Sequence, residues 1–218
     1  MNWHKLIDAG KRFDKICEEE FSVLNEYDAV MKNLDRSKLP EQEEVMKIFN
    51  FMNKWFSRIP LVKFEAFCRR YQSIWNLLSP IKELSLEKTP LNLVLTVGDE
   101  KLQLSRIIHH CFDALSDVIG PTPASKALHI SAPSMLIMWD TSIREKIGQG
   151  MTGYKYTYVF LPKTKDLIEE IISSYADETH CDRQSAINEI RNQRGKDYTL
   201  TKMIDEYNWV TITRGECL

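Results

Sequence analysis

Residues 114–148, ALSDVIGPTPASKALHISAPSMLIMWDTSIREKIG, decide the fold. Upstream, Leu104, Ile107, Ile108, Cys111, Leu115 and Val118 recur at helical spacing, so one helix is expected to run into Ile119-Gly120-Pro121-Thr122 and stop there. A second helix is expected to restart at Pro123, whose missing N–H costs nothing in a first turn. It carries Ala124, Ala127 and Leu128 and breaks at Ser131-Ala132-Pro133. After the apolar run Met135-Leu136-Ile137-Met138-Trp139, Asp140 stands just before Thr141-Ser142-Ile143-Arg144. There a carboxylate caps a helix N-terminus and meets its positive end.

Outward from this stretch, nearly every segment keeps a helical period. Trp3, Leu6, Ile7, Phe13, Ile16, Phe21 and Leu24 predict an amphipathic helix across 2–33, interrupted near Gly10. Leu39-Pro40 opens a helix with the stripe Val45, Ile48, Phe49, Met52, Trp55 and Phe56, and Ile59-Pro60 ends it. Phe64, Phe67, Cys68, Tyr71, Ile74, Trp75 and Leu78 form another stripe, closed by Ser79-Pro80. Later helices follow from Leu167, Ile168, Ile171, Ile172 and Tyr175, from Ala186, Ile187 and Ile190, and from Leu200, Met203, Ile204 and Tyr207. Residues 91–97, LNLVLTV, alternate only in part and fit a short strand or a buried turn, and Val210-Thr211-Ile212-Thr213 reads as a terminal strand. The three glycines between 148 and 153 mark a flexible link. No repeat or low-complexity tract occurs. The expected fold class is all-α.

A chain of 218 residues, 43% hydrophobic and 28% charged, has the composition of an ordinary globular protein with a sizeable core. No clean linker divides it, so residues 1–218 are expected to form a single helical domain. No apolar run approaches the roughly 20 residues that span a bilayer, so no membrane association and a cytoplasmic location are expected. Five scattered cysteines without a CxxC pair read as reduced thiols rather than disulfides or a zinc site. His109 and His110 are adjacent on a helix and point about 100° apart, which prevents joint chelation. Metal sites and small-molecule cofactors are therefore not expected. The net charge of −2 is not that of a strong non-specific nucleic-acid binder. Basic residues nevertheless gather at Lys54, Arg58, Lys63, Arg69 and Arg70 and at Arg183, Arg191, Arg194 and Lys196, patterns whose ordinary meaning is a solvated helix face.

The order of features in 114–148 resembles the helix-hairpin-helix DNA glycosylase superfamily (HhH-GPD), in which a glycine hairpin precedes a proline-led segment and a catalytic aspartate. The resemblance covers about 35 residues. It implies a two-lobed helical bundle, with residues 100–150 as the hairpin-containing lobe and 1–99 with 151–218 as the other. It makes Asp140 the catalytic acid and Gly120, Thr122, Ser125, Lys126 and His129 the candidate contacts to double-stranded DNA. Thr122 and Pro123 stand where lyase members carry a lysine, Lys126 comes about one turn later, and no cysteine quartet follows. The implied activity is thus that of a monofunctional N-glycosylase without an iron–sulfur cluster, in base-excision repair. Two readings stand beside it: a non-catalytic DNA-binding or protein-interaction module of the same fold, in which Asp140 only caps its helix, and a hydrolase unrelated to DNA.

Overall fold

The computed structural model describes residues 2–21, 26–148, 150–195 and 198–218. Leu24, Gln149 and Lys196, each part of a pattern above, lie outside them. The described chain is mostly helix, with one two-stranded sheet.

Helix α1, Trp3–Ile16, runs unbroken through Gly10. A Cβ at Gly10 would overlap the Arg194 side chain, so glycine here serves a close approach rather than a break. A π turn, Cys17–Phe21, follows. Then come α2 (Glu26–Lys32), α3 (Gln42–Lys54), α4 (Phe64–Ser73) and the single turn α5 (Trp75–Leu78). The partial alternation of 91–97 resolves as β1, Val94–Val97, paired antiparallel with β2, Glu100–Gln103.

The hairpin forms where the sequence places it, between α6, Leu104–Ile119, and α7, Pro121–Ser131. Gly120 ends α6 at φ +88, a conformation that strains any residue with a Cβ, and its N–H returns to the Ser116 carbonyl at 2.8 Å. Helix α7 begins two residues before the expected Pro123, because Pro121 also suits a first turn. The chain continues through the short α8 (Thr141–Ile143) and a π turn, Arg144–Gly148. It then forms α9 (Gly153–Lys155), a π turn at Tyr156–Phe160, and α10, Leu161–Thr179. In the glycine link Gly153 is buried, and its N–H donates to Asp113 at 2.7 Å. Helices α11, Arg183–Asn192, and α12, Leu200–Asn208, complete the bundle.

Residues 210–213 are not a strand. They continue α12 as a π turn, Trp209–Thr213, and the Thr211 hydroxyl donates to the Tyr207 carbonyl four residues back. That bond gives a β-branched residue a helical use for its oxygen. Buried apolar side chains from Leu6 to Ile204 form the main core, and Phe13, Cys17 and Val210 form a smaller cluster. Helices α3 and α4 pack on the hairpin helices α7 and α6, whereas α1 packs on α12 and α10. Helices α3 and α4 therefore side with the hairpin, and α1 meets the C-terminal helices in the second group. Among the described residues, no helix is long and apolar enough to cross a membrane.

Candidate functional site

The segment 136–140 belongs to no helix or strand. Its backbone polar groups must find other partners, because buried unpaired amides are costly. Three buried side chains supply them. His129 donates from Nδ1 to the Leu136 carbonyl at 2.7 Å and accepts at Nε2 from the Tyr27 hydroxyl at 2.9 Å. The Tyr156 hydroxyl donates to the Ile137 carbonyl at 2.7 Å and accepts from the Ile137 N–H at 3.0 Å. Ser125 Oγ donates to the Thr122 carbonyl at 2.8 Å and accepts the Trp139 N–H at 2.8 Å. The segment thus arrives at Asp140 on a rigid track.

This geometry corrects two expected DNA contacts. Ser125 and His129 are fully buried and their polar atoms are spent on the protein's own backbone, so neither reaches a surface. Burial also drives the His129 pKa down to about 3, leaving a neutral ring. The hairpin itself offers little to a phosphate. Pro121 and Pro123 have no N–H, Gly120 N–H is used by Ser116 and Ala124 N–H by Gly120, which leaves Thr122 as the one helix-opening donor without a partner inside its helix.

Asp140 caps α8, with Oδ1 accepting the Ile143 N–H at 2.9 Å. Its other oxygen accepts the Thr213 hydroxyl at 2.6 Å, which draws the C-terminal π turn against it. Arg144 clamps the hairpin to this helix, donating to Thr122 Oγ1 at 2.5 Å and to Thr141 Oγ1 at 2.8 Å.

Asp140, Thr122 and Lys126 line one cleft of about 620 Å³. Its other walls come from distant parts of the chain: Phe13 and Phe21, the turn Trp55–Arg58, and Asp205, Trp209 and Arg214. Phe56 is 53% exposed, and it and Arg58 sit at positive φ, +63 and +51. Such left-handed conformations in non-glycine residues cost energy and recur at functional sites. Lys126 reaches the cleft from α7 and donates to the Trp55 carbonyl and, at 3.3 Å, to Ser57 Oγ. Burial lowers its pKa to about 8, and Asp205 and Asp140 partly offset that by favouring the charged amine. Arg214 is held by Glu20 at 2.8 Å, while Arg58 has no ion pair among the described residues.

Behind the cleft lies a buried network that the sequence pattern did not reveal. Lys202 Nζ is 3.4 Å from Asp205 Oδ2 and 3.2 Å from Glu206 Oε1, under the rings of Phe13 and Tyr27 at 4.5 and 5.0 Å. Arg194 joins Asp14 at 2.5 Å and Glu206 at 2.9 Å. Arg194 was expected on a basic face; it is consumed here. Arg183 likewise pairs with Glu169 at 2.6 Å, and Arg191 donates to the Tyr198 carbonyl at 2.7 Å. Spacing alone carried a signal for the network, since Lys202, Asp205 and Glu206 stand at i, i+3 and i+4 on one helix.

Among the described residues, no three His, Cys, Asp or Glu side chains gather as metal ligands. No protein-family model, curated protein or solved structure matches the chain.

Proposed function

We propose that this chain is a helix-hairpin-helix glycosylase-like protein that binds DNA and hydrolyses an N-glycosidic bond, with Asp140 as the group that stabilises the developing oxocarbenium and directs water to the sugar carbon. One observation carries the reading: the Asp140 carboxylate lies on the wall of an aromatic-lined cleft large enough for a flipped nucleotide. Trp55, Phe56 and Trp209 line it with aromatic rings that suit a base, and Arg58 is a cation for its phosphate. Asp140 is held by two hydrogen bonds on a rigid track, so its charge is fixed where the sugar would sit rather than assembled during reaction.

The Lys126 amine is engaged by Trp55 and Ser57, and no lysine stands at Thr122 or Pro123. The expected chemistry is therefore base release without strand cleavage. The alternative, a non-catalytic module, is favoured by the same two hydrogen bonds, which a purely structural cap would also make.

Asp140→Asn separates them. Asparagine keeps the cap and removes the charge. Duplexes carrying uracil, 8-oxoguanine, alkylated purines or mismatches are incubated with both proteins, with borohydride present in a parallel set. Base release by the wild type, a loss of at least 10²-fold in the variant and an unchanged melting temperature support catalysis. Equal release by both proteins removes Asp140 from the chemistry, and no release by either leaves the module. A borohydride-trapped adduct on Lys126 would overturn the monofunctional assignment.

A further inference from the structure

The cleft holds a second carboxylate that the reaction above leaves unused. Asp205 comes from α12, at the opposite end of the chain from the hairpin, yet lines the same cleft as Asp140 and Lys126. Its side chain is 10% exposed, whereas that of its neighbour Glu206 is wholly enclosed. Asp14, the network's third carboxylate, is 34% exposed but does not line the cleft, so Asp205 is the network's acid that opens on it.

The network joins two cations, Lys202 and Arg194, to three carboxylates, Asp14, Asp205 and Glu206. It is neutral when one carboxylate carries a proton. The cleft wall adds Asp140 and the cations Lys126, Arg58 and Arg214, the last paired with Glu20, so the carboxylate surplus is confined to the buried network. Uncompensated charge is expensive in an enclosed site. The acid that can take its proton from solvent and hand it to a ligand is the one that opens on the cleft.

Building on the glycosylase reading, we propose that Asp205 is a second catalytic residue, the general acid that protonates the departing base while Asp140 acts on the sugar side. The bond between the sugar carbon and the base nitrogen breaks with its electron pair going to the nitrogen. That nitrogen takes the Asp205 proton, water oxygen bonds to the sugar carbon, and the proton released by water passes to Asp140. The products are free base and an abasic sugar. Proton exchange with solvent then resets both carboxyls.

Desolvation raises the Asp205 pKa to about 6. Lys202 lowers it, and Glu206 on the same helix and Asp140 across the cleft raise it; Lys126 from α7, Tyr27 from α2 and Tyr156 from the π turn also feel its charge. A group titrating there suits proton donation near neutral pH.

The test uses the full chain and duplexes bearing one uracil, 8-oxoguanine or 7-methylguanine. Wild-type release of the neutral bases is expected to fall about tenfold per pH unit above pH 6, and Asp205→Asn to lower it at least 10²-fold and flatten the profile. 7-Methylguanine already carries positive charge and leaves without a proton, so its release should change by no more than about threefold in the variant. Wild-type release of neutral bases that is flat from pH 5 to 8, or loss of 7-methylguanine release as large as that of uracil, would overturn the role of Asp205. The wild-type profile decides this even where the variant fails to fold. Absence of base release from every duplex would instead overturn the glycosylase reading beneath it.

Discussion

Ser125 shows how much a small buried side chain can decide. Its oxygen is the acceptor for the Trp139 N–H, the last backbone donor before Asp140. Ser125→Ala leaves that buried amide unpaired, at a cost of about 1–3 kcal/mol. Thermal melting should show the loss, and the cap at Asp140 should loosen with it, seen as faster amide exchange at Ile143. An unchanged melting temperature would mean that the segment does not depend on this bond. Asp140 was legible in the sequence because an acid before Thr-Ser-Ile is a local capping signal. Ser125 and His129 were misplaced because their surroundings are set by Tyr27, Leu136 and Trp139, which helical spacing within α7 does not encode.

Helices α1 and α12 face each other across the buried charges, and Gly10 of α1 packs against the Arg194 side chain. A methyl group there displaces a guanidinium pinned by Asp14 and Glu206. Breaking a buried pair of this kind costs about 3 kcal/mol or more. Gly10→Ala is therefore expected to lower the midpoint of urea unfolding markedly despite alanine's better helix propensity, and a gain in stability would contradict the contact. Helical stripes exposed most elements because apolar residues facing one core keep a 3.6 period. They placed α12 but not the depth of its polar residues: the helix is buried on nearly every side, so Lys202, Asp205 and Glu206, off the apolar stripe, lie inside. They failed at 210–213, where Val-Thr-Ile-Thr has local strand character but α12 carries the chain onward.

Two buried groups give the folded molecule opposing responses to acid. Asp205 keeps its proton up to about pH 6 when folded, against 3.8 for an ordinary aspartate. Between those values the folded state holds more protons, so this group makes stability fall as pH rises. His129 stays neutral down to about pH 3, against 6.5 when exposed, so its contribution is lost as pH drops through 6.5 toward 3. Over pH 3.8 to 6 the two slopes oppose. Asp205→Asn removes only the first. The stability of the variant relative to the wild type should therefore rise from pH 4 to 6, by up to about 1.4 kcal/mol per unit, and level off above. A difference independent of pH, measured by urea denaturation, would show that Asp205 is not held protonated.

The π turns at Cys17–Phe21 and Trp209–Thr213 deliver Phe21, Trp209 and Thr213 to the cleft. A π turn is a helical turn with one residue to spare. Each residue advances a helix by about 100°, so removing one from 209–213 would rotate all that follows and swing Thr213 away from Asp140. Chain length, as much as side-chain choice, therefore sets the shape of the cleft. A relative of this protein could gain or lose its site through a one-codon insertion or deletion while every core residue stayed the same.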